Sequence, residues 1–449
     1  MASGADRISD LPEGVLHHIL SLLPAQDAVR TCVLAQSWRN RWRSAPALRF
    51  ACSTGMAGGA DAFFSLVNTL LHVRRRGPPL DSCDFDLDLD LSDDRRLEPH
   101  GNSWISRVLQ LKVQELRFRA PADPFANPRL AFKLDHVHLS SQRLTSLELS
   151  GVKGNAVVLD FSDCLAMERL KMERCSVSST EMQSPSLKHL SIKNCIFYSN
   201  CRTVLSFPSL VSFEFVANFG RAPMLETMPY METAIVRFDR HHADRCKNGR
   251  LDDCGDAACP GCFNYYGPHD SGSVFLHGLA EATYLNLSAY PDMYVFNRDL
   301  KWCPAFNKLK TLVLRKWFLS TDLSALIWFL HHTPLLEKLT LEIPKPRKTL
   351  MKTEGSYNPL GIAPSHLQNV EIISKDVDGV VLKVLKVLNA NGIPLGKIRI
   401  QCSGCKLFMY CHDSFVQLSI LVTKPSIISN QTMSVLIYHN LYYRTLLYG

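Results

Sequence analysis

The chain has 449 residues, of which 46% are hydrophobic, and a mean hydropathy of −0.03, values typical of a soluble protein with a sizeable core. That length accommodates two to four domains, or one small domain followed by an elongated repeat array. The net charge is +8, but acidic and basic residues are spread along the chain, so the composition favours a nucleic-acid partner only weakly. The longest basic run, Arg74 to Arg76, predicts a solvated turn.

Fifteen cysteines are scattered along the chain, and no apolar stretch typical of a secretory signal follows Met1. Such cysteines mostly act as small apolar side chains in a reducing compartment, so we expect a protein of the nucleus, the cytoplasm or both. The longest late apolar run, FVQLSILV, is far shorter than the roughly 20 residues that span a membrane, so no membrane partner is expected.

The amino-terminal segment predicts a short helical module. Asp10 and Pro12 are suited to a helix start, and a second helix is predicted to begin after Gln26 or Asp27. Apolar residues of the first helix recur at helical spacing: Leu16, Ile19, Leu20 and Leu23. A module of about 40 residues cannot bury all its leucine and tryptophan by itself, so the surplus predicts an outward-facing docking surface.

The segment DFDLDLDLS, which begins at Asp84, alternates apolar and acidic residues. This alternation predicts a strand over residues 85–91 with Phe85 and three leucines on one face and aspartates on the other. A row of like charges on a strand face is more typical of a solvated edge than of a catalytic or metal site.

A hexamer of the form Leu-x-x-Leu-x-Leu, with apolar substitutes, recurs along the chain and predicts leucine-rich repeats. Its copies begin at Val113, Leu144, Met167, Leu187, Leu210, Ala282, Leu309, Leu336, Leu367 and Leu395. Spacings of 23, 20 and 23 residues between Leu144 and Leu210, and of 27 between Leu309 and Leu336, fall in or near the period of roughly 20 to 29 residues of such repeats, with longer gaps after Leu210 and before Leu367. Each unit is expected to add one short strand to a parallel sheet.

Strand alternation places the residues between the apolar positions on the concave surface of this array. Their charges are mixed, which favours recognition of a protein over a phosphate backbone. The predicted target-binding residues are Arg169, Lys171, Glu173, His189, Lys193, Tyr284 and Arg315.

A cysteine-rich insertion interrupts the repeats. Cys246, Cys254, Cys259 and Cys262 follow one another at steps of 8, 5 and 3 residues, and four thiolates are a ligand set that zinc prefers. The spacing is not that of a zinc ribbon, so a loop with free thiols or an adventitious disulfide stays open. A second group, made of Cys402, Cys405, Cys411 and His412, resembles the first less closely.

No phosphate-binding loop, nucleophile elbow or His-Glu-x-x-His helix occurs in the sequence, and no catalytic residue is predicted.

The segment LPEGVLHHILSLLPAQDAVRTCVLAQSWRNRW resembles an F-box. Together with the repeats and with SHLQNVEI and VVLKVLKVL after Ser365, it resembles the plant F-box/LRR proteins that carry a carboxy-terminal FBD region. The resemblance implies a non-catalytic substrate receptor of an SCF-type cullin ubiquitin ligase, which docks a Skp-type adaptor and binds a target protein. Adaptor contact would fall to Leu11, Pro12, Leu16, Ile19, Leu20, Leu23, Val29, Cys32, Leu34, Trp38 and Trp42.

The fold expected from this resemblance is an α/β solenoid, in which a small helical F-box precedes an irregular leucine-rich-repeat horseshoe. The expected boundaries are an F-box at 6–50, a linker with the first strand or cap at 51–110, repeats at 111–360 with the insertion at 241–270, an FBD-like region at 361–411, and a tail of unassigned structure at 412–449.

Gly14, Arg41 and the pair Gln36–Ser37 depart from the family's usual pattern and predict weaker adaptor binding. Two alternatives therefore stay open. One is a repeat scaffold or ligand sensor whose F-box has decayed, and the other is a zinc-dependent nucleic-acid binder built around the cysteines.

Overall fold

The computed structural model describes residues 11–52, 59–87, 96–121, 132–134, 137–155, 159–198, 202–244, 246–248, 254, 256, 258–259, 262, 273–290, 293, 295–319, 323–344, 365–402, 407–412, 415–422 and 434–436. The chain divides into two units. The first comprises Met1–Leu279 and Tyr294–Cys303, and the second comprises Ala280–Met293 and Pro304–Gly449.

The first unit opens with helices α1 (Glu13–Leu22) and α2 (Ala25–Arg30), followed by three short 3-10 turns at Thr31–Val33, Gln36–Trp38 and Arg41–Ser44. Pro12 and Pro24 stand immediately before the two helices, where a residue without an N–H leaves no donor unsatisfied. The predicted cap Asp10 lies outside the described residues. Helix α2 begins at Ala25, slightly earlier than predicted, because Pro24 fixes the start.

The rest of the first unit alternates strands with helices or turns. Its elements are β1 (Ala47–Ala51), α3 (Gly59–Arg74), β2 (Ser82–Asp86), α4 (Leu97–Gln110), β3 (Glu115–Arg119), β4 (Phe132–Leu134), β5 (Ser146–Ser150), β6 (Val152–Asn155), β7 (Arg169–Glu173), β8 (Ser176–Ser178), β9 (Glu181–Gln183), β10 (His189–Lys193), β11 (Ile196–Phe197), β12 (Val204–Ser206), β13 (Ser212–Gly220), β14 (Met224–Leu225), β15 (Thr233–His242) and α5 (Val295–Asp299).

The main ladder of this unit is parallel and runs β1–β2–β3–β5–β7–β10–β13–β15. Two shorter parallel ladders accompany it, β4–β6–β8–β11 and β9–β12–β14. The apolar positions of the hexamer stay in register across the strands, so Leu147, Leu170, Leu190 and Phe213 align and are all buried. The predicted parallel strands are confirmed, because each repeat buries its leucines against those of its neighbour.

A left-handed residue follows several strands of the main ladder. Gly151, Arg174 and Asn194 follow β5, β7 and β10 with φ of 69°, 51° and 51°. Ala217, with φ of 56°, lies at a register shift within β13. Left-handed backbone costs a non-glycine residue about 1 kcal/mol or more, and here it turns the chain from the main ladder toward the next strand.

The second unit repeats the parallel arrangement and then changes to antiparallel pairing. Its elements are β16 (Tyr284–Ala289), β17 (Thr311–Lys316), α6 (Ser324–His332), β18 (Lys338–Ile343), β19 (Asn369–Ser374), α7 (Gly379–Ala390), β20 (Ile398–Cys402), β21 (Leu407–His412), β22 (Phe415–Val422) and β23 (Ser434–Leu436). Strands β16 to β20 pair in parallel, and β20 to β23 pair antiparallel. The tail, which had no predicted structure, thus contributes β22 and β23.

Strand β1 crosses the expected boundary at residue 50. The segment 51–110, expected to be a linker with the first strand or cap, contains α3, β2 and α4. Helices α3 and α4 pack against each other around Phe63, Phe64 and Trp104. No helix among the described residues is long and apolar enough to cross a bilayer.

Candidate functional sites

Helix α1 has two apolar faces. Leu16 and Leu20 have essentially no exposed surface, and the helix packs against β1 and the turn at Arg41–Ser44. The other face carries Val15, Ile19 and Leu22, all exposed, at steps of four and three residues, and the exposed Leu11 lies just before the helix. Because these steps match one face of a helix, the three side chains form a continuous surface, here named, together with Leu11, the N-terminal apolar stripe.

Two further exposed apolar residues follow α2 in the same module. Val33 is 82% exposed and Leu34 is 69% exposed. Side chains of this size are usually at least half-buried in a folded domain, and contiguous exposed ones mark interaction sites. The predicted outward surplus of apolar surface is therefore present in the structure.

The predicted adaptor-contact residues divide into three groups. Leu11, Pro12, Ile19 and Leu34 are exposed, and Leu23, Val29 and Cys32 are half-buried. Leu16, Leu20, Trp38 and Trp42 are buried within this chain, where they support its folding. Contact of the eleven residues with an adaptor stays a prediction. The exposed Val15 and Leu22 were not among them, although their spacing from Ile19 places them on the same helix face.

The departures at Gly14 and Arg41 are accommodated locally. A Cβ added at Gly14, in the first turn of α1, would meet nothing within 4 Å. The Arg41 guanidinium carbon lies 5.5 Å from the Trp38 ring centroid, and its Nε donates to the Ser37 carbonyl oxygen at 3.0 Å. Neither position disturbs the module, and their effect on adaptor binding stays a prediction.

The prediction of a solvated turn at Arg74 to Arg76 is wrong at its first residue. Arg74 has no exposed surface, and its guanidinium donates to the carbonyl oxygens of Arg43 and Ala45, the latter at 2.6 Å. Burial lowers the Arg74 pKa to about 10, so it stays charged at neutral pH. The side chain joins the end of α3 to the end of the amino-terminal module.

Five of the predicted target-binding residues lie on one face of the first unit's main ladder. Arg169, Lys171 and Glu173 alternate with buried residues on β7, and His189 and Lys193 do so on β10. The register aligns Arg169 with His189 and Glu173 with Lys193. This face of β1 to β13 is here named the polar strand face.

Charges on the polar strand face largely compensate one another. Glu148 lies 3.2 Å from Lys171, 3.5 Å from Arg117 and 3.6 Å from Arg119. Lys193 pairs with Glu214 at 2.7 Å. A face whose cations are already paired attracts a polyanion weakly, so its charge pattern fits a protein better than a nucleic-acid backbone.

The aspartates of β2 belong to the same face, and the expectation of a solvated edge strand is wrong. Strand β2 lies between β1 and β3, with Asp84 3.6 Å from Arg117 and Asp86 3.5 Å from Arg119. Phe85 and Leu87 are buried as predicted, whereas Leu89 and Leu91 lie outside the described residues.

The remaining two predicted target-binding residues belong to the second unit. Tyr284 is half-buried on β16, and Arg315 on β17 pairs with Glu342 of β18. In the register, Tyr284 aligns with Thr311 and Ser288 aligns with Arg315, so the two residues share one face.

The structure brings the four cysteines of the insertion together. The sulfur atoms of Cys246, Cys254, Cys259 and Cys262 all lie within 4.8 Å of one another, although the residues span three unequal sequence steps. The Sγ atoms of Cys254 and Cys262 are 3.6 Å apart. The four residues are here named the cysteine cluster.

Two N–H groups donate to sulfur in the cysteine cluster. The Lys247 backbone N–H donates to Cys259 Sγ at 3.3 Å, and Arg298 Nη2 donates to Cys262 Sγ at 3.1 Å. The first of these bonds lowers the Cys259 pKa to about 6, whereas burial raises the Cys262 pKa to about 11. The environment thus shifts Cys259 toward the thiolate and Cys262 toward the neutral thiol.

A buried polar network lies just before the cysteine cluster in the sequence. Arg202 donates from Nη2 to Asp244 Oδ1 at 2.7 Å and from Nη1 to Asp244 Oδ2 at 3.0 Å. The Ala222 N–H also donates to Asp244 Oδ2, and His242 Nδ1 lies 3.5 Å from the same oxygen. Burial alone would raise the Asp244 pKa, but the Arg202 charge outweighs it and lowers that pKa.

His242 belongs to this network and is buried. Desolvation lowers its pKa to about 4 against the opposing effect of Asp244, so the imidazole is neutral at pH 7. Sequence reasoning missed the network, because Arg202, His242 and Asp244 form no recognisable motif.

The second cysteine group is only partly described. Cys402 is buried at the end of β20, Cys405 lies outside the described residues, and Cys411 and His412 are described only through the backbone of β21. The described residues of this group do not test whether it binds a metal.

Comparison with known proteins identifies the amino-terminal module. Residues 8–49 match the F-box domain. The MEIOTIC F-BOX protein MOF of Oryza sativa subsp. japonica is 27% identical over 82% of this chain and 80% of its own length.

Two Arabidopsis thaliana proteins match shorter stretches. A putative F-box/FBD/LRR-repeat protein is 31% identical over 52% of this chain, and an FBD-associated F-box protein is 30% identical over 47%. The chain spans 58% and 48% of the length of these two relatives. The predicted resemblance is confirmed by the F-box match and by these plant relatives.

Proposed function

We propose that this chain, an F-box protein of the plant F-box/LRR class with FBD-containing relatives, is the substrate-recognition subunit of an SCF-type ubiquitin ligase. The amino-terminal module docks a Skp-type adaptor, and the repeats hold a target protein. The observation that carries this proposal is the N-terminal apolar stripe, which lies inside the F-box match and has no partner surface among the described residues.

The stripe supplies the driving force for docking. Full burial of a Val, Leu or Ile side chain contributes about 1.5–3 kcal/mol, and the stripe offers four such side chains that are at least one-third exposed. Val33 and Leu34 extend the apolar surface beyond α2. Because Leu16 and Leu20 hold the adjacent face of α1 to the fold, the stripe is presented on a rigid helix and little conformational entropy is lost on binding.

The polar strand face supports the second half of the proposal. It combines half-exposed Arg, Lys, Glu and His side chains on a rigid row of parallel strands, and its balanced charge fits a protein target with complementary charge pattern. We propose Arg169, Lys171, Glu173, His189 and Lys193 as target contacts in the first unit, and Tyr284 and Arg315 in the second.

The proposed mechanism is proximity, and the chain itself needs no catalytic group. Holding the adaptor and the target on one chain raises the effective concentration of the target near the enzyme that transfers ubiquitin. We further propose that the parallel ladders form an irregular leucine-rich-repeat array, with residues 361–411 as its FBD-like continuation, and that the protein acts in the nucleus, the cytoplasm or both.

Adaptor binding tests this function. The full chain, coexpressed with a plant Skp-type adaptor, is expected to copurify with it, and the double variant Val15→Glu/Ile19→Glu is expected to lose at least tenfold in affinity. Leu165→Glu is the matched control, because Leu165 is 59% exposed but lies outside the stripe. Retained binding in the double variant would remove the proposed interface, and no binding by the unaltered chain would favour a scaffold with a decayed F-box.

A further inference from the structure

We propose that Cys246, Cys254, Cys259 and Cys262 bind one zinc ion as four thiolates, and that this ion is the core of the insertion between β15 and the turn at His277–Leu279. The proposal rests on the arrangement of the sulfur atoms, on the composition of the insertion and on the groups that surround the cluster. It is independent of adaptor binding.

The sulfur positions fit a single ion. Tetrahedral zinc with bonds of about 2.3 Å to sulfur places its ligands about 3.8 Å apart. The four Sγ atoms lie within 4.8 Å of one another, and Cys254 and Cys262 are already 3.6 Å apart. Small side-chain rotations therefore close the site, whereas a cluster of iron and sulfide ions would require the sulfur atoms to move further apart.

The described part of the insertion buries little besides its sulfur atoms. Among its described residues between 243 and 272, the buried side chains are those of Asp244, Cys259 and Cys262. A segment of this length cannot hold a fixed conformation without buried apolar groups, a disulfide or a metal. Sulfur atoms converging from four positions in such a segment are typical of a structural site with a closed ligand set.

Surrounding donors favour thiolates over neutral thiols. Arg298 is buried and its guanidinium donates to Cys262, and the Lys247 N–H donates to Cys259. Four thiolates and one Zn²⁺ carry a net charge of −2, which the neighbouring guanidinium partly offsets. Such N–H bonds to metal-bound sulfur orient the ligands and spread their charge.

Both ends of the insertion are fixed by buried carboxylates. Asp244 is held by Arg202 and by the Ala222 N–H at the start. Asp299, next to Arg298 on α5, accepts the backbone N–H groups of Val274 at 2.9 Å and Leu276 at 2.7 Å, just after the insertion. The chain thus enters and leaves the cluster at fixed points, which lowers the entropic cost of gathering four ligands.

A disulfide is the principal competing state. Oxidation of Cys254 and Cys262 by an external oxidant would form one S–S bond, release two protons and two electrons, and leave two sulfurs unable to hold zinc tightly. The two states differ in metal content, thiol number and mass, so one set of measurements separates them.

Metal analysis of the full chain, purified under reducing conditions without a metal-binding tag, tests the site. We expect about one zinc per chain, a fall of at least tenfold in Cys254→Ser and Cys259→Ser, and no change in Cys303→Ser, a half-buried cysteine outside the cluster. Cys254→His is expected to retain zinc, because three thiolates and an imidazole also bind it; a purely packing role for the sulfur would not give this rescue.

Cobalt substitution gives a second readout. Co²⁺ in the unaltered chain is expected to show the visible and near-ultraviolet absorption of a tetrahedral thiolate site, which Cys259→Ser removes. Zinc no higher than in the serine variants, iron in place of zinc, or a Cys254–Cys262 disulfide in freshly reduced protein would each overturn the proposal. The Val15→Glu/Ile19→Glu variant is expected to keep its zinc, so loss of adaptor binding and loss of metal are distinguishable.

Discussion

The F-box module and the cysteine-rich insertion are incomplete in opposite ways. The module exposes Val15, Ile19 and Leu22 on one face of α1, with Leu11 just before the helix, and buries Leu16 and Leu20 on the adjacent face. The insertion buries almost nothing but sulfur and one carboxylate among its described residues. The first has more apolar surface than its own fold covers, and the described part of the second buries almost no carbon side chain.

The difference indicates what completes each region. An apolar surplus on a rigid helix is relieved by a protein partner, because burial of apolar surface is favourable and non-directional. Converging thiols with few buried neighbours fit the proposed metal, because four directional bonds can fix a short segment. The following substitutions break or sharpen this comparison, from the largest expected effect to the smallest.

Asp244→Asn is expected to lower the free energy of unfolding by about 3–5 kcal/mol, because it removes the buried carboxylate that the Arg202 guanidinium contacts through two nitrogen atoms. Urea denaturation with hydrogen exchange around residues 220–244 measures the effect. Asp239→Asn is the control, since its half-exposed carboxylate lies 3.9 Å from Arg237 and should matter little. Equal stability of the two variants would show that the insertion does not depend on this network.

Leu16→Ala is expected to cost about 3 kcal/mol, whereas Ile19→Ala on the same helix should stay within about 0.5 kcal/mol. The reason is that Leu16 has no exposed surface and Ile19 is exposed. Thermal unfolding and adaptor titration, measured on both variants, should give opposite orders: Leu16→Ala impairs folding more, and Ile19→Ala impairs binding more. The same order in both measurements would contradict the division of α1 into two faces.

Acid is expected to weaken the buried polar network of Arg202, His242 and Asp244. The His242 pKa is about 4 in the folded protein against about 6.5 in the unfolded chain, so the unfolded chain takes up the proton first as the pH falls. Stability is therefore full above pH 6.5 and falls by up to about 3 kcal/mol between pH 6.5 and pH 4.

His242→Asn removes this titration and keeps a side-chain acceptor near the Asp244 N–H, which donates to His242 Nδ1 at 3.4 Å. Unfolding free energies measured from pH 7 to pH 4 should therefore fall less steeply in the variant. An unchanged slope would mean that His242 does not contribute to the acid sensitivity.

Gly14→Ala is expected to stabilise the F-box module by up to about 1 kcal/mol, because alanine is the better helix former and its Cβ meets no neighbour. Thermal unfolding of the full chain measures this gain, and adaptor affinity should be equal or higher. A loss of affinity would show that Gly14 itself faces the adaptor.

Much of the fold follows from local periodicity. The leucines at 147, 170 and 190 align across neighbouring strands because each hexamer carries the same alternation, and the F-box match covers residues that already show helical spacing. Turns were less predictable: Arg174 and Asn194 adopt left-handed backbone that nothing in their identity requires. The repeat imposes that conformation on whatever residue occupies the turn.

The candidate sites were predicted less evenly. The four cysteines were identified from their type and number, but their convergence within 4.8 Å does not follow from steps of 8, 5 and 3 residues. Trp38 and Trp42 were predicted to contact the adaptor, yet they are buried in the chain's own core. Arg74 was predicted in solvent and caps the carbonyl groups of Arg43 and Ala45 instead.

The sequence by itself determined the two amino-terminal helices, the parallel repeats and the surplus of apolar side chains at the amino terminus, because these depend on spacing within one segment. Only the tertiary structure decided which face of α1 stays exposed, that Asp84 lies beside Arg117 in the sheet, and that four distant sulfur atoms meet. The physical reason is that exposure and ion pairing depend on which segments cover each other, and that information is distributed over residues far apart in the chain.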